Sequence, residues 1–206
     1  LMLIWDIPYY IFPILALICN IIVVSGNSIK YVRSGNLNLK LLTPYLMGSI
    51  PLAFFGASIS ITKELFEILL FVILIIAGIF LLIESKSFND DKIRINSIPK
   101  IISLLIGSII GFTSGIIGIG GGIFLSPILF VMKAGYPKQI ATTASLFILI
   151  NSIFGVAGQL TKDVVFDEFL NFWPLFIAVL IGGQIGNFLN IKFLSGKTLA
   201  IITSLL

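Results

Sequence analysis

Uncharged apolar runs of close to twenty residues recur along the chain: Ile7 to Ile29, Leu41 to Ser60, Leu65 to Ile83, Ile101 to Met132, Gln139 to Thr161 and Phe169 to Ile191, with a last run opening at Thr198. A helix needs about that length to cross a hydrocarbon core roughly 30 Å thick, and in lipid the helix satisfies its own backbone N–H and C=O groups. Each run is therefore predicted to be a membrane helix. The intervening segments are short. The longest, Glu84 to Lys100, is polar, ends at Pro99 and its partner lysine, and divides the chain into comparable halves. The predicted fold is an all-α polytopic membrane protein with about seven or eight membrane segments in two repeats. Residues 1–206 form one transmembrane domain: an incomplete first repeat over 1–83, a cytoplasmic loop over 84–100 and a second repeat over 101–206.

The fourth run departs from the pattern. Residues 101–132 are too many for one straight span at about 1.5 Å per residue and too few for two comfortable ones. Its centre holds Gly111, Gly115, Gly118 and the consecutive Gly120, Gly121 and Gly122, followed by Pro127. Each glycine costs about 1 kcal/mol relative to alanine inside a helix. Two shorter helices joined by a glycine break are predicted, and the distribution of cations selects how they run. If the fourth run crosses once, Lys and Arg divide almost evenly between the two sides. If it enters and returns, all of the thirteen except Lys63 and Lys162 share one side, the asymmetry that cytoplasmic loops display. A helical hairpin over 101–132 is the reading that follows. A weak internal repeat points to inverted halves: Leu17-Ile18-Cys19-Asn20 resembles Ile148-Leu149-Ile150-Asn151, and Gly48 to Pro51 with Gly56-Ala57 resembles Ala178 to Ile181 with Gly186-Asn187. Inverted repeats place a transport site at their interface near the midplane.

Composition agrees with the pattern. The chain is 58% hydrophobic and 11% charged, with a mean hydropathy of +1.14, against about 25% charged residues in an ordinary soluble domain. The net charge of +4 comes from cations placed between the apolar runs, which serves topology and argues against nucleic acid as a partner. With no histidine and a single cysteine, Cys19, His-based metal sites, disulfide frameworks and CxxC redox pairs are excluded. No cofactor is expected.

Candidate chemistry concentrates between Gly111 and Gly155. A discontinuous membrane helix leaves N–H groups unpaired at its N-terminus, where the partial positive charge attracts anions. The glycine break with hydroxyls nearby is thus a candidate anion site, with Ser114, Gly118, Gly120, Gly121, Gly122, Thr142, Thr143, Ser145 and Asn151 as candidate substrate-binding residues. The competing reading is that the glycines only permit close helix packing, since Gly111 and Gly115 fit the GxxxG template. A nucleotide loop is excluded because no Walker lysine and no strand-turn-helix context accompany the glycines. The hydroxyls of Thr142, Thr143 and Ser145 either bond back to their own helix or meet substrate. Asn20 and Asn151 are expected to pair across helices, with Gln159 and Gln184 in a similar part. No acid or base stands at the centre of a run; Glu67, near the start of the third, is expected at the interface. A coupled proton would then travel by other groups or on the substrate.

The stretch GFTSGIIGIGGGIFLSP from Gly111 to Pro127, followed by Ala141-Thr142-Thr143-Ala144-Ser145 and Asn151-Ser152, resembles the sulfite exporter TauE/SafE family of membrane transporters. The resemblance covers the second half well and the first half, from about Pro13 to Ile83, more loosely. It implies a duplicated permease with the glycine pattern in both halves. The first-half copy is expected ahead of Leu1, and the chain is expected to be a piece of a longer protein. It also implies movement of a sulfur-containing anion such as sulfite or an organosulfonate, across a prokaryotic inner or plasma membrane. The expected partners are the bilayer and a small anionic solute, with a homo-oligomer left open. The alternatives are a non-transporting membrane scaffold or subunit, and a transporter of another small solute. An enzyme is the weakest reading, because no buried acid pair and no activated nucleophile are present.

Overall fold

The structure, a computed structural model, describes residues 8–87, 95–162 and 172–193. The run opening at Thr198, the acidic stretch 163–168 and part of the loop after Glu84 lie outside the described residues, as does the side chain of Gln184. The described residues form seven α-helices: α1 (Phe12–Arg33), α2 (Leu39–Ser58), α3 (Lys63–Ser87), α4 (Lys100–Ile117), α5 (Gly122–Val131), α6 (Pro137–Gln159) and α7 (Trp173–Phe193). Six correspond to the apolar runs, and the seventh arises because the fourth run is broken. Among the described residues α1, α2, α4 and α6 are long and apolar enough to cross a membrane.

Local chemistry sets the helix ends. Pro13 stands in the first turn of α1, where its missing N–H costs nothing, and Lys30 and Arg33 occupy the last turn, where the helix dipole favours cations. Asn38 caps α2 by accepting the Leu41 N–H at 3.2 Å. Glu67, expected at an interface, is exposed near the start of α3 and lies 3.8 Å from Lys63.

The packing is the reverse of a soluble protein. Large apolar side chains face outward, Ile101 at 75% and Phe71 at 67% exposure, whereas Ser49, Thr142, Thr143, Ser152 and Gln159 are fully buried. Lipid is as apolar as leucine, so helices gain little by hiding large side chains from it and associate through small residues and polar groups instead. The closest contact is between α2 and α4. A Cβ on Gly107, Gly111 or Gly115 would strike the backbone of Tyr45, Ser49 or Ala53 respectively, and one on Gly48 or Gly56 would strike that of Leu104 or Phe112. The constant register makes the two helices parallel, with glycines four residues apart on the touching face of α4 and eight apart on that of α2.

The other directions follow from similar pairs. Gly158 of α6 meets Phe54 and Ala57, so α6 runs with α2; Leu17 of α1 meets Gly155, while Asn20 and Ser152 converge on Gly120, so α1 runs against α6. Phe12 and Phe66 meet edge to face, bringing the starts of α1 and α3 together. Beyond the break the chain turns back, because the space beside Gly121 is bounded by Ile110. The Asn96 N–H, just ahead of α4, donates to the Lys133 carbonyl, just after α5, at 3.0 Å. This is the hairpin that the cation distribution predicted. Lys30, Arg33, Lys40, Lys100, Lys133 and Lys138 consequently lie toward one end of the bundle and Lys63 and Lys162 toward the other, among the described residues.

Candidate functional site

The break is built by three left-handed backbone positions within four residues. Gly118 (φ +86°) caps α4, its N–H donating to the Ser114 carbonyl at 2.8 Å. Gly120 (φ +78°) and Gly121 (φ +73°) follow, and Gly121 starts α5 by accepting from the N–H groups of Phe124 and Leu125. A side chain in this conformation costs about 1–2 kcal/mol per residue. Gly122 is a glycine for another reason: it is the first residue of α5, and the Ile148 side chain and Ala144 carbonyl fill the place of a Cβ. Ile148 is the midpoint of α6, so the break lies halfway along its neighbour. The first N–H groups of α5 have no acceptor within their own helix, as at any helix start.

Polar side chains converge on this turn. Asn20 of α1 donates its amide to the Gly118 carbonyl at 3.4 Å, a cross-helix bond of the kind expected of it. Asn20 Nδ2 and Ser152 Oγ each lie 3.0 Å from the point a Cβ of Gly120 would occupy, and Ser114 Cβ lies 3.3 Å from the corresponding point at Gly121. Ser114 and Ser152 are buried at 2% and 0% exposure, and neither hydroxyl has a hydrogen-bond partner.

The other predicted residues separate by their bonding. Thr142 donates to the Lys138 carbonyl of its own helix at 2.7 Å. Thr143 is fully buried with its hydroxyl unpartnered, and Ser145 is half-buried. Asn151 corrects an expectation: its amide donates to the Phe147 carbonyl one turn back in α6 at 2.9 Å, and its Oδ1 has no partner, so it does not pair across helices. A mid-helix amide reaches the preceding turn at less entropic cost than a second helix. Gln159 is likewise buried and unpartnered at both polar atoms. Gly111 and Gly115 belong to the α2 contact and take no part in the turn. Ser152 stood out in the sequence only as one polar residue among several, and nothing there distinguished it from Ser145. Among the described residues no group of His, Cys, Asp or Glu could hold a metal.

The family model described as Sulfite exporter TauE/SafE matches residues 1–206. The chain belongs to the TauE/SafE family. Its relatives include the probable membrane transporter protein y4hK of Sinorhizobium fredii, 29% identical over 93% of this chain and 77% of that protein. The probable membrane transporter protein YunE of Bacillus subtilis is 22% identical over 86% of this chain and 70% of its own length. The probable membrane transporter protein MJ0441 of Methanocaldococcus jannaschii is 38% identical over 42% of this chain and 33% of its own. No solved structure matches significantly. The TauE/SafE chain is thus a multi-pass membrane protein of a transporter family, and its glycine break lies beside the buried Ser114 and Ser152.

Proposed function

We propose that this TauE/SafE chain forms a permease for a small anion, sulfur-containing as the family's name suggests, in a cell membrane, and that the glycine break is its binding turn. The observation that carries the reading is the pair of buried hydroxyls, Ser114 and Ser152, left without partners beside the N-terminus of α5. A buried hydroxyl with no partner costs about 1–3 kcal/mol. Two of them beside a backbone turn rich in N–H groups suit a ligand that accepts hydrogen bonds and carries negative charge. Asn20 adds an amide donor from α1. The similar stretches 17–20 and 148–151 lie on antiparallel helices that meet at this turn, which supports two inverted repeats with the site between them. The cation-rich end then faces the cytoplasm.

The test is uptake of radiolabelled sulfite and short organosulfonates into proteoliposomes holding the full-length protein, with and without a pH gradient. Saturable uptake is expected. Ser114→Ala is expected to lower it at least tenfold without lowering the melting temperature, because removing an unpartnered hydroxyl relieves its desolvation cost. No uptake of any sulfur anion by folded protein would transfer the reading to another solute or to a scaffold.

A further inference from the structure

The similar stretches 17–20 of α1 and 148–151 of α6 lie on helices that meet along a seam of constant register. Leu17 meets Gly155, and three residues on in α1 and three back in α6, Asn20 and Ser152 converge on Gly120. One turn the other way from Leu17 and Gly155, the same register sets Gln159 level with Pro13, whose backbone packs against Gly118. Gln159 follows Ser152 by seven residues, two turns, so it shares the Ser152 face about 10 Å further along. Pro13, Ser58, Ile116 and Thr161 in turn line a cavity of about 500 Å³ at the end of the bundle opposite the cation-rich one. Gln159 therefore stands between that cavity and the glycine break.

Its side chain is fully buried, and neither the amide nitrogen nor the carbonyl oxygen has a hydrogen-bond partner. A second group of the same kind lies beyond the break. Ser28 follows Asn20 by eight residues, as Gln159 follows Asn151, and it stands toward the cation-rich end of α1. It lies three turns beyond Leu17 and so on the face of α1 that meets α6. Ser28 is 2% exposed, and its hydroxyl is unpartnered. Helical serines satisfy themselves on a carbonyl three or four residues back, as Ser25 and Ser58 do here. Ser28 does not. Buried polar groups without partners are costly, and apolar side chains of similar shape would fill both places at less cost.

Resting on the permease reading, we propose that the solute travels along the α1–α6 seam, with Gln159 and Ser28 as its contacts on the two sides of the break. The equal spacing of the two from the repeated asparagines gives the passage one polar contact in each repeat, as inverted halves require. The amide and the hydroxyl both donate hydrogen bonds, which suits a small solute with oxygen acceptors. Ser114, Ser152 and Asn20 hold the solute midway.

Two measurements test this. In the first, uptake of radiolabelled sulfite is read in proteoliposomes holding the full-length protein. Gln159→Leu and Ser28→Ala are each expected to lower uptake at least tenfold while the melting temperature holds or rises, since each removes an unpartnered buried group. Gln159→Asn keeps the amide and is expected to retain more uptake than Gln159→Leu. In the second, Gln159→Cys and Ser28→Cys are placed singly in a Cys19→Ala background with no other cysteine. Each is treated from one face of oriented membrane vesicles with the impermeant anionic reagent sulfonatoethyl methanethiosulfonate. They are expected to react from opposite faces, each at least tenfold faster than Leu129→Cys, a fully buried position in α5.

Reaction of both from the same face, or no faster than at Leu129→Cys, would overturn the proposal. So would wild-type uptake in folded Gln159→Leu and Ser28→Ala, or losses of uptake matched by losses of melting temperature, which mark packing or a fixed water. Uptake that depends on Ser114 but on neither Gln159 nor Ser28 would overturn the passage and leave the permease standing. Opposite-face labelling without uptake of any sulfur anion by wild type would keep the passage and remove the sulfur-anion reading.

Discussion

Replacing Gly111 by leucine is expected to leave no folded protein, and replacing it by alanine is expected to lower the melting temperature in detergent by roughly 5–10 °C. A Cβ there would lie 2.6 Å from Ser49 Cα and 2.8 Å from Ser49 Cβ, closer than carbon atoms pack. Backbone cannot step aside as the end of a side chain can, so α2 and α4 must separate along a register shared with Gly107 and Gly115. Overpacking a tight interior costs about 1–3 kcal/mol for a few added atoms, and each kcal/mol is about 2–4 °C for a chain of this size. Gly78 of α3 supplies the control, because a Cβ there meets nothing within 4 Å. Gly78→Ala is expected to be neutral or to stabilise by up to about 1 kcal/mol through helix propensity. Equal melting temperatures for Gly111→Ala and wild type would show that the α2–α4 contact is not as close as described.

Gly120→Ala is expected to fold and to lose at least a hundredfold in anion flux, about 2.7 kcal/mol in the transport barrier. The positive φ costs about 1–2 kcal/mol. The new methyl crowds Asn20 Nδ2, Ile148 Cγ2 and Ser152 Oγ, each 3.0 Å from it. These are side-chain atoms that shift by a few tenths of an ångström, so the fold survives while the polar groups around the turn move. Gly35 separates the two effects: it also has a positive φ, +71°, yet a Cβ there meets nothing. Gly35→Ala is expected to lose comparable stability and keep wild-type flux. Wild-type flux in Gly120→Ala would mean that the turn serves packing alone.

The glycine-rich stretch shows where sequence reading stops. Six glycines between Gly111 and Gly122 look alike in the sequence, and both the packing and the binding reading fit them. In the structure Gly111 and Gly115 have helical backbone and touch α2, Gly118, Gly120 and Gly121 have left-handed backbone, and Gly122 makes room for Ile148. Residues some sixty positions away decide the first role and the path of the turn decides the second. The asparagines divide in the same way. Asn20 finds a carbonyl on another helix, whereas Asn151 finds one in its own.

By itself the sequence determined the membrane class, the approximate limits of the helical runs among the described residues, the place of the break and, through Lys and Arg, the return of the chain after it. These are local or summed properties: length, hydropathy, glycine content and the side on which charge lies. Tertiary structure alone decided which helix faces touch and which hydroxyls are left unpartnered at the break. The reason lies in the solvent. In water an apolar stripe marks the buried face of a helix, but in lipid both faces are apolar, and the hydrophobic pattern carries no record of the neighbour.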